Sequence, residues 1–277
     1  MRSCEGPFQD SFTRCAGCAA LLLVLWAAEN AHAESVIRIV VSDARQTGRA
    51  TWRVLQTPFQ GDAKDYALAG GIVAGVAALS TLDRSVRHVA DSSGGQWAQN
   101  VADVGHAYQQ TELTFAIAGA FYAAGLVANR PSLRRTGQEV IESFCLSALG
   151  SQFLKHTLGR DRPPAGKGPY HFVGPNWKDM DQSFPSGDTV VAFSLSTVLA
   201  AEAKSLPVAV ALYSLAAATA FQRLHRDRHW LSDTVGGAAW GTAVGWGVVR
   251  AHRSLSNSSP QVSIVPCANG LGLAMNW

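Results

Sequence analysis

Charge is scarce in this chain. Asp, Glu, Lys and Arg make up 16% of its 277 residues, and the formal net charge is +3. A balance that mild argues against a nucleic-acid partner, which calls for a strongly basic face. The basic residues gather instead around three short motifs, which points to a small anionic ligand. Long apolar runs are also missing. The uncharged stretches run about 13 to 17 residues, at or below the length that crosses a bilayer. Mean hydropathy is +0.06, low for a fully embedded protein. Yet 47% of residues are hydrophobic, which is high for a soluble domain. There is no internal repeat.

Cysteine is sparse too, five in all: Cys4, Cys15, Cys18, Cys145 and Cys267. The first three lie in an N-terminal segment with the features of an export signal. Arg2 and Arg14 precede an apolar run from Cys15 to Ala28, and Ala31-His32-Ala33 offers a small-x-small cleavage site. Residues 1–33 are therefore expected to be a signal peptide, with an uncleaved anchor as the alternative, and the protein to reach the periplasm or the cell-envelope membrane. Cleavage leaves 244 residues with two cysteines. These either pair in an oxidising compartment or stay as separate thiols. No CxxC or Cys/His cluster in that remainder suggests a metal.

Residues 34–65 read as a mixed, polar extension, with Val36 to Val41 as a short strand. Six apolar runs follow: Tyr66–Leu82, Leu113–Asn129, Val140–Leu154, Thr189–Ala201, Leu206–Phe221 and Thr234–Val249. All are rich in Ala, Gly and Leu and lack strand-like alternation, so they predict helices. Ser205-Leu206-Pro207 suits a helix start. Gly159 and the proline-rich stretch from Pro163 to Pro175 end one helix and open a long loop. The fold expected is all-α, a six-helix bundle over residues 66–253. A tail, 254–277, forms a short β-hairpin around Asn269-Gly270. If the signal is cleaved and all six runs span, the motifs share one face, and that face is cytoplasmic. For an exported protein this leaves two options: a globular or peripheral bundle, or a different number of spans.

The three motifs are KHTLGRDRP, with Lys155 and Arg162; FPSGD, with Ser186, Gly187 and Asp188; and RLHRDRHWLSD, with Arg223, His229 and Asp233. Two arginine forks and a lysine can hold the oxygens of a phosphoryl group. Ser186 can donate its hydroxyl, and Gly187 opens a helix whose free N–H groups suit an anion. His229 and Asp233 are four apart, on one face if helical. An Asp bonded to one imidazole nitrogen leaves the other to attack phosphorus. Taken singly, each motif also has a plain structural reading: a basic helix end, a helix cap, a charged loop.

Jointly and in this order, the motifs resemble the type 2 phosphatidic acid phosphatase and vanadium haloperoxidase superfamily. The resemblance covers roughly residues 66–250. It implies a helical bundle and metal-independent hydrolysis, without cofactor, of a phosphomonoester or pyrophosphate. The substrate would be a lipid phosphate or a small phosphate ester, with membrane association in the first case. It implies that His229 forms a phosphohistidine, Asp233 orients it, and Lys155, Arg162, Arg223, Ser186 and the Gly187 amide bind phosphate. Two positions depart from the pattern. Gln222 replaces a serine of auxiliary role. Asp188 replaces the histidine that would act as general acid. A carboxylic acid donates only when protonated, and nearby cations favour the ionised form. Three readings follow: Asp188 donates the proton, His225 or His171 substitutes, or the substrate has a good leaving group. Competing functions are a non-catalytic envelope protein that keeps the phosphate-binding fold and a vanadate-dependent haloperoxidase.

Overall fold

The computed structural model describes residues 33–92, 94–175, 182–257, 261–267 and 270–276. The expected signal peptide lies outside these residues, apart from Ala33. Nine α-helices are found among the described residues: α1 (Ala33–Gln60), α2 (Ala63–Leu79), α3 (Asp83–Ser92), α4 (Gln96–Tyr108), α5 (Thr111–Val127), α6 (Pro131–Leu158), α7 (Gly187–Ala203), α8 (Leu206–His225) and α9 (Leu231–Asn257). The six expected runs fall on α2, α5, α6, α7, α8 and α9. The tail forms an antiparallel pair, β1 (Gln261–Cys267) with β2 (Gly270–Asn276), in which Ile264 faces Leu273 and Cys267 faces Gly270.

The short strand expected over Val36–Val41 is instead part of α1. Its β-branched residues favour strand locally, but tertiary contacts at helical spacing override that preference. Asp43 pairs with Arg134 of α6 at 2.9 Å. Thr51 donates to Glu142 at 2.9 Å, and Ala50 is fully buried. The extension is thus a helix packed on α6 and α9 rather than a loose leader.

α7 is the central helix, lying against α6, α8 and α9. Its Ala192, Leu195 and Val198 join Tyr108, Ala118, Val140, Ala216 and Val249 in the core. Two glycines of α9 set how near that helix comes. A Cβ at Gly241 would lie 2.3 Å from the Val190 carbonyl oxygen, and one at Gly237 would lie 2.7 Å from that of Ser186. Backbone therefore touches backbone where α9 meets the start of α7.

α2 is different. A capping box opens it: the Asp62 carboxylate accepts from the Lys64 and Asp65 amides at 2.9 Å, and Asp65 accepts from the Asp62 amide at 3.1 Å. None of its residues is buried. Ala63–Ala90, which includes α2, is the one segment among the described residues long and apolar enough to cross a membrane. Cys145 is an exposed free thiol on α6; the side chain of Cys267 lies outside the described residues.

Candidate active site

The three motifs meet at one end of the bundle. Lys155 stands in the last turn of α6, which closes at Gly159 in the left-handed region at φ 61°. Ser186 caps α7, and Gly187 and Asp188 form its first turn. Arg223 lies in the last turn of α8, His229 in the loop that follows, and Asp233 in the first turn of α9. The Ser186 amide donates to the Asp233 carbonyl at 3.0 Å, which ties the second motif to the third. A Cβ at Gly187 would lie 3.8 Å from the Lys155 side chain and 4.0 Å from Ser151 Oγ. The first and second motifs therefore touch as well. The charges of Arg162, Asp233, Asp188 and Arg223 all act on Lys155 across this space.

His229 is 4% exposed. Its Nδ1 lies 3.3 Å from Ser183 Oγ and 3.6 Å from Asp233 Oδ2. Ser183 Oγ donates to Asp233 Oδ2, so the serine oxygen is left to accept from Nδ1. That arrangement puts the imidazole proton on Nδ1 and the lone pair on Nε2. Burial pushes the imidazole pKa down to about 4, against the opposing pull of Asp233. The ring is therefore neutral at ordinary pH and able to attack.

Asp233 is fully buried and well supplied with donors. Besides Ser183 it accepts from the Trp230 amide at 2.8 Å and from Arg160 Nη1 at 2.5 Å. Arg160 also donates from Nη2 to Asp83 at 2.6 Å and from Nη1 to Ser232 at 2.7 Å. Asp83 in turn accepts from the Ser232 amide at 2.9 Å and its hydroxyl at 2.7 Å.

Lys155 donates to the Gln182 carbonyl at 2.9 Å. Arg223 pairs with Asp188 at 2.9 Å, and the Asp188 side chain is 40% exposed. The departure at position 188 thus places a carboxylate directly on one of the expected phosphate-binding cations. Of the two substitute acids, His225 stacks on Phe221 with ring centroids 5.5 Å apart, and Phe221 stacks on Trp97. It faces α4, two residues round the helix from Arg223. His171 lies on the loop after α6: its Nδ1 is 2.7 Å from Oδ2 of Asp161, the residue before Arg162, and its side chain is 44% exposed. Trp177 of the same loop lies outside the described residues. Among the described residues, no three His, Cys, Asp or Glu side chains are grouped to hold a metal ion.

The sequence motifs did not single out Ser183, Arg160, Ser151 or Asp83. Ser183 directly precedes FPSGD, and Arg160 stands inside KHTLGRDRP, so their nearness to the motifs was a usable signal. Ser151 precedes Lys155 by one helical turn. Asp83 has no local signal, because only the folded chain brings it to Arg160.

Residues 138–256 match the family model of the PAP2 superfamily. That stretch holds all three motifs, so the superfamily read from them is the one the family model identifies. In fold, the chain is similar to the transmembrane PAP2 type phosphatidylglycerolphosphate phosphatase from Bacillus subtilis. The two align with TM-score 0.54 at 17% identity, over 69% of this chain and 96% of that one. The LpxE structure from Aquifex aeolicus aligns with TM-score 0.44 at 16% identity, over 61% of this chain and 95% of its own. In sequence, 65 residues are 42% identical to the lipid A 1-phosphatase of Porphyromonas gingivalis, covering 23% of this chain. The match spans 15% of that relative's length.

Proposed function

We propose that this protein is a phosphatase of the cell envelope that hydrolyses a lipid phosphate, a monoester or pyrophosphate, through a phosphohistidine on His229. The observation that carries the reading is the buried His229, with Nδ1 engaged by Ser183 and Asp233 and Nε2 left to react. In the mechanism, the Nε2 lone pair forms a bond to phosphorus as the bond to the leaving oxygen breaks. Lys155, Arg162 and Arg223, with the Ser186 hydroxyl and the Gly187 amide, hold the three remaining oxygens and their growing charge. The leaving oxygen takes a proton from Asp188 or from His171, which is exposed beside Asp161. Water then attacks the phosphohistidine, releases phosphate and restores Nε2.

A phosphate dianion reaching Arg223 competes with Asp188 for the same guanidinium. The lipid substrate rests on the likeness to a phosphatidylglycerolphosphate phosphatase and a lipid A 1-phosphatase and on the exposed apolar surface of α2, which suits a bilayer. The fold relative is itself described as transmembrane.

Release of phosphate from a chromogenic phosphate ester and from phosphatidylglycerol phosphate tests the reading. His229→Ala should abolish both activities; full turnover by that variant removes the nucleophile. Asp188→Asn should lose the dependence on an acid in its pH profile. Coincident profiles for wild type and variant would show that Asp188 does not donate the proton. Fractionation should place the chain in the membrane pellet after a high-salt wash.

A further inference from the structure

We propose that Arg160 and Asp83 are positioning residues for the nucleophile. Together they hold Asp233, and through it His229, to the segment that follows the exposed helix α2. The inference rests on the phosphatase reading above and adds to it how His229 is kept in place.

Arg160 is 2% exposed and lies between two buried carboxylates, Asp233 and Asp83. Its fork is filled: Nη1 serves Asp233 and Ser232, Nη2 serves Asp83, and Nε donates to the Pro169 carbonyl at 2.9 Å. Phe172 and Trp230 lie against the guanidinium at 5.5 and 5.9 Å from their ring centroids. A charge so enclosed is stable only when its partners stay in register, so it fixes their geometry. Lysine could not copy it, because one ammonium cannot reach both acids in a planar fork.

Asp83 does two things. It holds the second arm of Arg160, and it fixes the first turn of α9 through the Ser232 amide and hydroxyl. Asp233 is the next residue of that turn. The same segment is tied twice more to the site loops. Arg87 of α3 pairs with Asp227 at 2.7 and 2.8 Å, and Tyr170 donates to the Ser80 carbonyl at 3.1 Å. α2 itself buries nothing. A displacement of this apolar helix would therefore reach Asp233 through Asp83 and Arg160. The phosphate-binding cations are anchored separately, Lys155 on Gln182 and Arg223 on Asp188.

Steady-state kinetics of the full chain in detergent, with a chromogenic ester as substrate and inorganic phosphate as inhibitor, tests the proposal. Asp83→Asn and Arg160→Lys should lower kcat by about tenfold or more while KM and phosphate inhibition stay within about twofold. Arg87→Gln, which loosens the same segment without touching Asp233, should leave kcat within about twofold. If Asp83→Asn does not fold, Ser232→Ala removes one bond from each partner and should show the same split, with a smaller fall. A folded Asp83→Asn with wild-type kcat overturns the proposal. So does a variant in which kcat and phosphate affinity fall together, which marks a merely structural role. A wild-type chain that turns over no phosphate ester overturns the function, and this inference with it.

Discussion

α2 and α7 are both 17-residue helices made mostly of small and apolar side chains, yet they live in opposite surroundings. α7 buries nine of its residues, from Thr189 to Val198. α2 buries none, and leaves Leu68, Ile72 and Val73 exposed. The difference lies less in composition than in neighbours. α7 is enclosed by three helices; Ser194 and Thr197 donate to its own carbonyls, Ser196 bonds across to Tyr108 and the Leu212 carbonyl, and Thr197 to Tyr213. α2 rests mainly on α9 and presents aliphatic side chains outward. Apolar content predicts burial only where another element supplies the cover; otherwise it marks an interaction surface.

Substitutions in the two helices should separate them sharply. Leu195→Ala removes a side chain that is 1% exposed and should cost about 2–5 kcal/mol, read as a lowered unfolding midpoint in detergent. Gly237→Ala, at the contact between α9 and the start of α7, should cost about 1–3 kcal/mol and lower kcat, because the added methyl pushes on the Ser186 carbonyl. The pH profile is subtler. In the proposed mechanism protonation silences His229, whose pKa burial lowers from 6.5 to about 4. The acid limb of kcat/KM that belongs to His229 should therefore fall near pH 4, with neutral imidazole above it. A limb near 6.5 would show that the ring is less enclosed than the structure has it. Val73→Ala on α2, at a position 69% exposed, should change stability in detergent by less than about 0.5 kcal/mol. A loss comparable to that of Leu195→Ala would mean that α2 has a protein neighbour.

The bundle was legible because its six apolar runs lack strand alternation, and the candidate site was marked by three motifs with few residue types at fixed spacing. His229 with Asp233, Ser186 with Gly187 and the three cations were candidates from the sequence, and the fold gathers their motifs at one end of the bundle. α1 was not legible. Its β-branched start favours strand, and only the partners of Asp43, Ala50 and Thr51 on other helices make it helical. The Arg160–Asp83 bridge was hidden for a related reason: a pairing across 77 positions leaves no mark on either local sequence. His225 and His171 were equal as sequence positions. Their settings separate them: helix phase turns His225 toward Phe221, and the loop after α6 holds His171 beside Asp161.

The two glycines of α9 also bear on how far this end of the bundle can adapt. Main-chain atoms of α7 and α9 meet there at close range, so that seam has little slack to yield. Adjustment there falls instead to the chain after α6, where the Val173 and Ser183 amides donate to the Gly159 and Arg160 carbonyls.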